Sequence, residues 1–449
     1  MPFIESREWN TPRLMQAGLL AVFVLSLLLT LAAISGARSH RRALQAVGRD
    51  SAPSIIAARH IRAALADMDA NAANELLDPA HSAAALKLFE SRRVEAANAI
   101  IVAAKNITYG DAEEIPIRQL VSGMGVYSAQ MQSARDFKAA SSERFLDAYR
   151  AAAATMDTVL LPAAAALDKA NRDALDAAYA AQKSASSQSF LFLAMAAALA
   201  AASLVSLQLF LSTRTRRTFN PMLIAATLAV VIFAFYTAHA FQGADQELKI
   251  AKEDAFESIH ALWLARSLSY SANSDESRYL LDAARAAAYE NDFSTKVRRI
   301  ANLPVVASES SFLRTLNAGK PVAGFTGYLA DELNNITFPG ERDAAVETLT
   351  RYFFYLAVDK QIRALETSGQ HARAVALCVG SAEGQSDWAF NRFDESLGRT
   401  LDVNQTAFDA AVARGFADLS NFEVIAPLAA LLIAALSWLG LRPRLREYS

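Results

Sequence analysis

Two stretches of the chain carry arginines, carboxylates and amides at helical spacing. In the first, Arg62 precedes Asp67, Asp69, Asn71, Asn74 and Glu75; in the second, Arg266 precedes Asn273, Asp275, Glu276, Arg278 and Tyr279. An arginine fork holds a carboxylate through parallel hydrogen bonds, and a nearby acid takes an ammonium. Arg62, Asp67, Asp69, Asn71, Arg266, Asp275 and Arg278 are therefore the candidate residues for a small zwitterion such as an amino acid. The competing reading is a solvated helix face, where most charged helical side chains sit. No phosphate-binding glycine loop, zinc-protease helix, Cys-x-x-Cys or nucleophile elbow is present. The histidines at 40, 60, 81, 239, 260 and 371 lack metal-ligand spacing, so neither a metal nor a cofactor is expected. The expectation is a protein without catalysis of its own. Cys378, the single cysteine, cannot form an internal disulfide and reads as a small buried residue on a helix.

The elements that must position these residues are set by apolar runs. Phe190 to Leu211 and Pro221 to Phe241 each contain no Asp, Glu, Lys or Arg and approach the ~20 residues a helix needs to cross a bilayer. A short basic connection joins them, with Arg214, Arg216 and Arg217, and such loops stay on the cytoplasmic side. Leu14 to Ile34 and Ile425 to Leu441 bring the candidate spans to four. The tail with Arg442, Arg444 and Arg446 also favours a cytoplasmic end. Arg38, Arg41 and Arg42, following the first span, favour the opposite orientation; parity with the other three spans overrules them. Ser35-Gly36-Ala37 offers a signal-peptidase site, but the run is long for a signal peptide, and an uncleaved anchor is expected. The resulting plan is a cytoplasmic tail (1–13), a span (14–36), an outer four-helix bundle (37–189), a span (190–211), a cytoplasmic loop (212–220), a span (221–241), a second outer helical domain (242–424), a span (425–441) and a cytoplasmic tail (442–449). Both termini are then inside a bacterial plasma membrane.

Alanine abundance, sparse glycine and 53% hydrophobic content point to an all-α chain. A net charge of −2 argues against a nucleic-acid partner. In the first outer segment, apolar spacing predicts helices from Asp50-Ser51-Ala52-Pro53 to Asp78, from Pro79 to Ile107, from Ala112 to Asp136, and from Ser141 onward with a kink at Pro162. Short connections make these an antiparallel bundle. An ungapped shift of 204 positions pairs Ser54 with Ser258, Arg62 with Arg266, Leu76-Leu77-Asp78 with Leu280-Leu281-Asp282, and Phe89 with Phe293. This predicts a tandem duplication that diverges after Asn302. Beyond a turn-rich stretch from Asn317 to Gly340, helices are expected at Glu341–Ser368, Gly369–Val379 and Ser386–Asn421, the last entering the final span.

Asp275-Glu276-Ser277-Arg278-Tyr279-Leu280-Leu281, Tyr289-Glu290-Asn291-Asp292-Phe293, the terminal Gly440-Leu-Arg-Pro-Arg-Leu-Arg-Glu-Tyr448 and the segment Ala63 to Leu77 resemble the GlnX-type integral membrane proteins of actinobacteria. The resemblance implies the same four spans and two outer domains. It also implies a relay of amino-acid availability from a glutamine- or glutamate-binding lipoprotein outside to a serine/threonine protein kinase inside. The bundles are also similar to chemoreceptor sensor domains. The function expected is a membrane signal relay, partnered by the membrane, those two proteins and a further copy of the chain. Arg214, Arg216, Arg217, Arg442, Arg444, Arg446 and Tyr448 are then the docking residues for the cytoplasmic partner, unless the arginines serve topology alone. The alternative is a scaffold subunit of a cell-envelope complex. A transporter is disfavoured because no span holds an internal Asp, Glu, Lys or Arg.

Overall fold

The computed structural model describes residues 11–215, 219–303, 309–320 and 322–446. These form fifteen α-helices: α1 (Thr11–Gln45), α2 (Ala52–Leu77), α3 (Ser82–Lys105), α4 (Asp111–Ala139), α5 (Phe145–Thr155), α6 (Leu161–Thr215), α7 (Pro221–Lys249), α8 (Glu257–Leu281), α9 (Ala286–Ile300), α10 (Glu309–Asn317), α11 (Tyr328–Asn334), α12 (Glu341–Thr367), α13 (His371–Cys378), α14 (Ser386–Asp418) and α15 (Phe422–Arg446). There is no strand among the described residues; one antiparallel bridge pairs Asn302 with Thr326. The chain divides into two compact units. One comprises Met1–Val47, Ala177–Lys249 and Ala411–Ser449; the other comprises Gly48–Asp176 and Ile250–Ala410.

The first unit contains the apolar runs, and four helices are long and apolar enough to cross a membrane. Their outward faces carry Leu20, Leu191, Ile232, Phe235 and Leu431, each between 63% and 79% exposed. A band of large apolar side chains this continuous suits lipid rather than water. Inside the unit, α1 packs on α7 and α15. One close approach is at Gly36, where an added Cβ would lie 2.4 Å from the Phe241 ring. That ring stacks on His40 at 4.6 Å and Phe422 at 6.0 Å. Gly36→Leu should therefore force the aromatic stack apart and cost about 1–3 kcal/mol by overpacking. Thermal unfolding of the detergent-solubilised variant would show it, and an unchanged transition would mean that the helices separate at no cost.

Two sequence expectations about helix continuity are revised. Pro162 does not interrupt its helix: a π-helical turn at Met156–Leu160, in which Leu161 N donates to Met156 O, accommodates the missing N–H and the ring, and α6 then runs unbroken. At the other end, the helix expected to reach Asn421 stops at Asp418. Asn421 takes φ 61°, a left-handed conformation that asparagine tolerates better than most residues, and a new helix begins at Phe422.

In the second unit, α2 to α5 and the start of α6 surround a core that includes Ile61, Leu65, Met68, Phe89, Tyr127, Met131 and Tyr149. The helix ends of the two halves fall at one offset. Leu77 and Leu281 close α2 and α8, and Ser82 and Ala286 open α3 and α9; the π-helical stretches Ala46–Ser51 and Ile250–Phe256 also start 204 positions apart. The expectation that likeness ends at Asn302 is corrected by the loops before α4 and α12. Asn106 Nδ2 donates to Ser54 Oγ (2.7 Å), and Asn335 Nδ2 donates to Ser258 Oγ (3.0 Å). Glu113 then accepts from the N–H groups of Thr108 and Tyr109, as Glu341 does from those of Thr337 and Phe338. The correspondence resumes at Asn106-Ile-Thr and Asn335-Ile-Thr, after extra residues in the second half. The Asn302–Thr326 bridge closes that extra stretch at its base, and buried Phe312 and Phe325 anchor it, with Phe312 against Phe353.

The sequence reading keeps the two outer segments apart, but the structure packs them as a single unit with α2 and α8 side by side. Arg59 meets His260, Asp69 meets Ser274 and Asn74 meets Ser277, so the two helices run parallel and in register. From Ser267 to Arg278 every residue of α8 is buried, although most of them are polar. A helix with no solvent face must satisfy its polar groups against other helices.

Candidate functional site

The seam between α2 and α8 brings together residues that the sequence reading assigns to two separate clusters. Arg278, on α8, is 2% exposed. Its Nη2 donates to Asp69 on α2 (2.6 Å), its Nη1 to Asp275 (3.3 Å) and Asp157 (3.2 Å), and its Nε to the hydroxyl of Tyr149 (3.2 Å). Asp69 also accepts from Tyr127 (3.0 Å) and Ser274 (2.7 Å), and Asp275 is held by Lys296. Burial pushes the Asp69 and Asp275 carboxyls upward, while Arg278 acts on both in the opposite direction. Burial also works against the charge of Arg278, but Asp69, Tyr149, Asp157 and Asp275 outweigh it and hold the guanidinium protonated. Six secondary-structure elements contribute to this network, which is the densest polar contact between the two halves. Its donors and acceptors already satisfy one another, so it is a structural junction with no vacant arm for a ligand.

The flanks of the seam repeat one design with different chemistry. On the first side, Arg135 forms two bonds to Glu75 (2.7 and 2.8 Å) and lies over the Phe89 ring (4.6 Å). On the second, Arg363 binds Asp359 (2.9 Å) and lies over Phe293 (4.5 Å), the residue 204 positions beyond Phe89. Beside Asp359 lies Glu276, which is fully buried and accepts from Ser386 (2.6 Å). Burial first, and then the charge of Asp359, keep the Glu276 carboxyl well above its ordinary range. Burial likewise raises the Asp359 carboxyl, although Arg363 acts against it. Cys378 is buried as expected, its Sγ 3.6 Å from Glu276.

Of the remaining candidates, Asp67 and Arg266 line a small cavity of about 60 Å³, with His60, Arg92, Trp263 and Tyr270. Asp67 is in contact with Arg92, and burial pushes its carboxyl up to about 6 despite that partner. Arg266 is taken by Asp394 through two bonds (2.7 and 2.6 Å). The space suits a few waters, and both arginines are already paired. Asn71 turns back to the carbonyl and carboxylate of Asp67. Arg62 is apart from these residues: its neighbours are Asp168, Tyr328 and Arg299, and its buried Nε has no hydrogen-bond partner. The solvated-face alternative does not describe Asp69, Asp275 or Arg278, all of which are buried.

The basic docking candidates lie in the first unit. Arg442, Arg444 and Arg446 are on the last turns of α15, with Arg442 over the Trp438 ring (4.8 Å). Arg444 lines a cavity of about 400 Å³ with Gln208, Ser212, Asn220 and Gly440. Arg214 is in the last turn of α6, while Arg216, Arg217 and Tyr448 lie outside the described residues. Among the described residues, no group of three or more His, Cys, Asp or Glu could hold a metal ion. Sequence reasoning missed Asp157, Lys296, Asp359 and Asp387 as seam residues. Asp387, which accepts from Asn74 Nδ2 (3.5 Å), is pushed by burial to about 7. The one sequence signal for the flanks is the Arg135–Phe89 and Arg363–Phe293 correspondence, visible only when gaps are allowed between the halves.

Residues 43–180 match the family described as Actinobacterial sensor domain. The match covers all of Gly48–Asp176, the first segment of the second unit, and a few residues on either side. No curated protein and no solved structure matches the chain.

Proposed function

We propose, from the match of residues 43–180 to a sensor domain, that this chain is a multi-pass membrane signal relay whose second unit reads an extracytoplasmic condition, amino-acid availability in the first instance. The four apolar helices and their exposed aliphatic faces support the membrane placement, and the arginines of the 212–220 loop and of the C-terminal tail favour a cytoplasmic side for that loop and both termini. The halves are read as a duplicated sensor, which the shared helix boundaries and the paired Asn–Ser contacts support.

The observation that carries the reading is the α2–α8 seam. A buried, fully paired charge network resists gradual deformation, because displacing one member leaves another unpaired, so its alternatives are discrete packings. A change at the second unit would shift α8 against α2. The chain continues from α8 back through α7, and α6 is one helix from Leu161 to Thr215, so either can carry that shift to the basic residues. The protein itself performs no chemistry; a solute-binding lipoprotein outside and a serine/threonine kinase inside supply input and output.

Mild crosslinking in the native membrane, followed by purification of the intact protein, tests this. Recovery of a solute-binding protein together with a kinase is the expected result. Recovery of envelope-assembly proteins alone would replace the relay with a scaffold.

A further inference from the structure

The seam leaves one group of charges unabsorbed, at the other end of α2 and α8. A cavity of about 490 Å³ opens there, lined by Arg172, Glu257, His260, Tyr328, Asp331 and Asn335, residues of α6, α8, α11 and the turn that follows it. Its volume is within the range of small-molecule sites. Behind His260 sits Arg59, 3% exposed, with Nη2 2.6 Å from His260 Nδ1 and Nε 3.2 Å from Asp168. Arginine has only donors, so His260 Nδ1 is the acceptor and the imidazole proton is on Nε2. Burial and then Arg59, Arg172, Lys252 and Arg62 hold this histidine neutral. It therefore lines the cavity as a donor, beside the Arg172 guanidinium and the Tyr328 hydroxyl.

Cations gather at and behind the cavity. Arg59, Arg62, Arg172 and Lys252 are four cations; the carboxylates facing them are Asp168, Asp176 and Glu257. Two guanidinium nitrogens in this group, Arg59 Nη1 and Arg62 Nε, are buried without a hydrogen-bond partner. Arg299, which donates to Tyr328 (2.9 Å), adds further positive charge beside Arg62. An idle donor on a buried guanidinium is costly unless an acceptor completes it. Asp331 is the exception on the lining: burial alone raises its carboxyl, and the cation cluster does not act on it. A dianion is disfavoured next to it, whereas a group that can donate to it is favoured.

We propose that this cavity binds a small organic monocarboxylate, its carboxylate held by Arg172, His260 and Tyr328 with Arg62 and Arg59 behind them. It rests on the sensor reading for its purpose but not for its existence, since binding is measured on the purified protein without any partner. The full-length protein in lipid nanodiscs is titrated calorimetrically with lactate, alanine and glutamine. Saturable binding of at least one is expected, weakened about tenfold or more in Arg172→Gln, the size of one charge-assisted hydrogen bond. Tyr328→Phe, which removes only a hydroxyl, gives a second reading should Arg172→Gln unfold, and a smaller loss is expected there. Preference for alanine over lactate would assign an ammonium to Asp331; preference for lactate would assign a hydroxyl. Absence of heat with all three at millimolar concentration, or binding unchanged in both variants, overturns the proposal. The relay could fail, with no kinase recovered, while this site still bound its ligand.

Discussion

Arg278→Leu is expected to destabilise the second unit by about 3–5 kcal/mol, the cost of leaving buried charges without their partner. Asp69 and Asp275 would both face low dielectric with the guanidinium gone, and only Asp275 keeps a second cation, Lys296. Denaturant unfolding of the full-length protein, followed through Tyr and Trp signals, would measure the loss. The combination Asp69→Asn, Asp275→Asn and Arg278→Met should recover most of it, because replacing a whole buried ion network by neutral side chains of similar size is often neutral or stabilising. A single variant within about 0.5 kcal/mol of the parent would place Arg278 in the ordinary range of surface changes and remove the seam as the element that joins the halves.

Stability should also fall as pH rises between about 4.5 and 8, with Glu332 responsible for much of the slope. Glu332 is buried on α11 beside Glu341, whose Oε2 accepts from the N–H groups of Thr337 and Phe338 in the loop before α12. Burial first, and then the Glu341 charge, push the Glu332 carboxyl from 4.5 up to about 8; Ser258 and Asn404 act weakly in the other direction. The folded chain therefore keeps a proton that the unfolded chain loses above about 4.5. Stability from this proton is complete below 4.5 and is lost as pH climbs through the folded value, at up to about 1.4 kcal/mol per pH unit. Glu332→Gln keeps a donor for Glu341 at every pH. It should flatten the profile and be more stable than the parent at pH 8.5. Parallel profiles for parent and variant would show that the pair titrates elsewhere.

The helices and spans were legible because each rests on local pattern: apolar runs of the right length, and apolar residues three and four apart. The second unit was only partly legible. Arg62, Asp67, Asp69, Arg266, Asp275 and Arg278 stand out in the sequence as charges on the predicted helices, but helical spacing cannot say whether a polar face meets water, a ligand or another helix. For Asp69, Asp275 and Arg278 the neighbour is another helix, and the decisive partners, Tyr127, Tyr149, Asp157 and Lys296, come from four different elements. The 204-residue offset was readable until the second half inserts extra residues. After that, Asn335-Ile-Thr repeats Asn106-Ile-Thr in a new register, and an ungapped comparison passes over it. The Glu276–Asp359 pair illustrates the same limit, since nothing in the spacing of two acids on different helices marks them as buried neighbours.

The parallel seam has a consequence for which surfaces may meet. At the 204-residue offset Asp69 corresponds to Asn273, and Asn74 corresponds to Arg278. The acid of the pair thus belongs to one half and the base to the other. If α2 paired with the α2 of another copy, Asp69 would be buried opposite an asparagine where its arginine should be; two α8 helices would instead set Arg278 without Asp69. The first pairing buries an uncompensated carboxylate, the second leaves Arg278 with only the Asp275 of its own helix from the seam, and only the unlike pairing closes the network. The divergence between the halves therefore acts as a lock and key within a single chain, discouraging exchange of segments between neighbouring molecules crowded in the same bilayer.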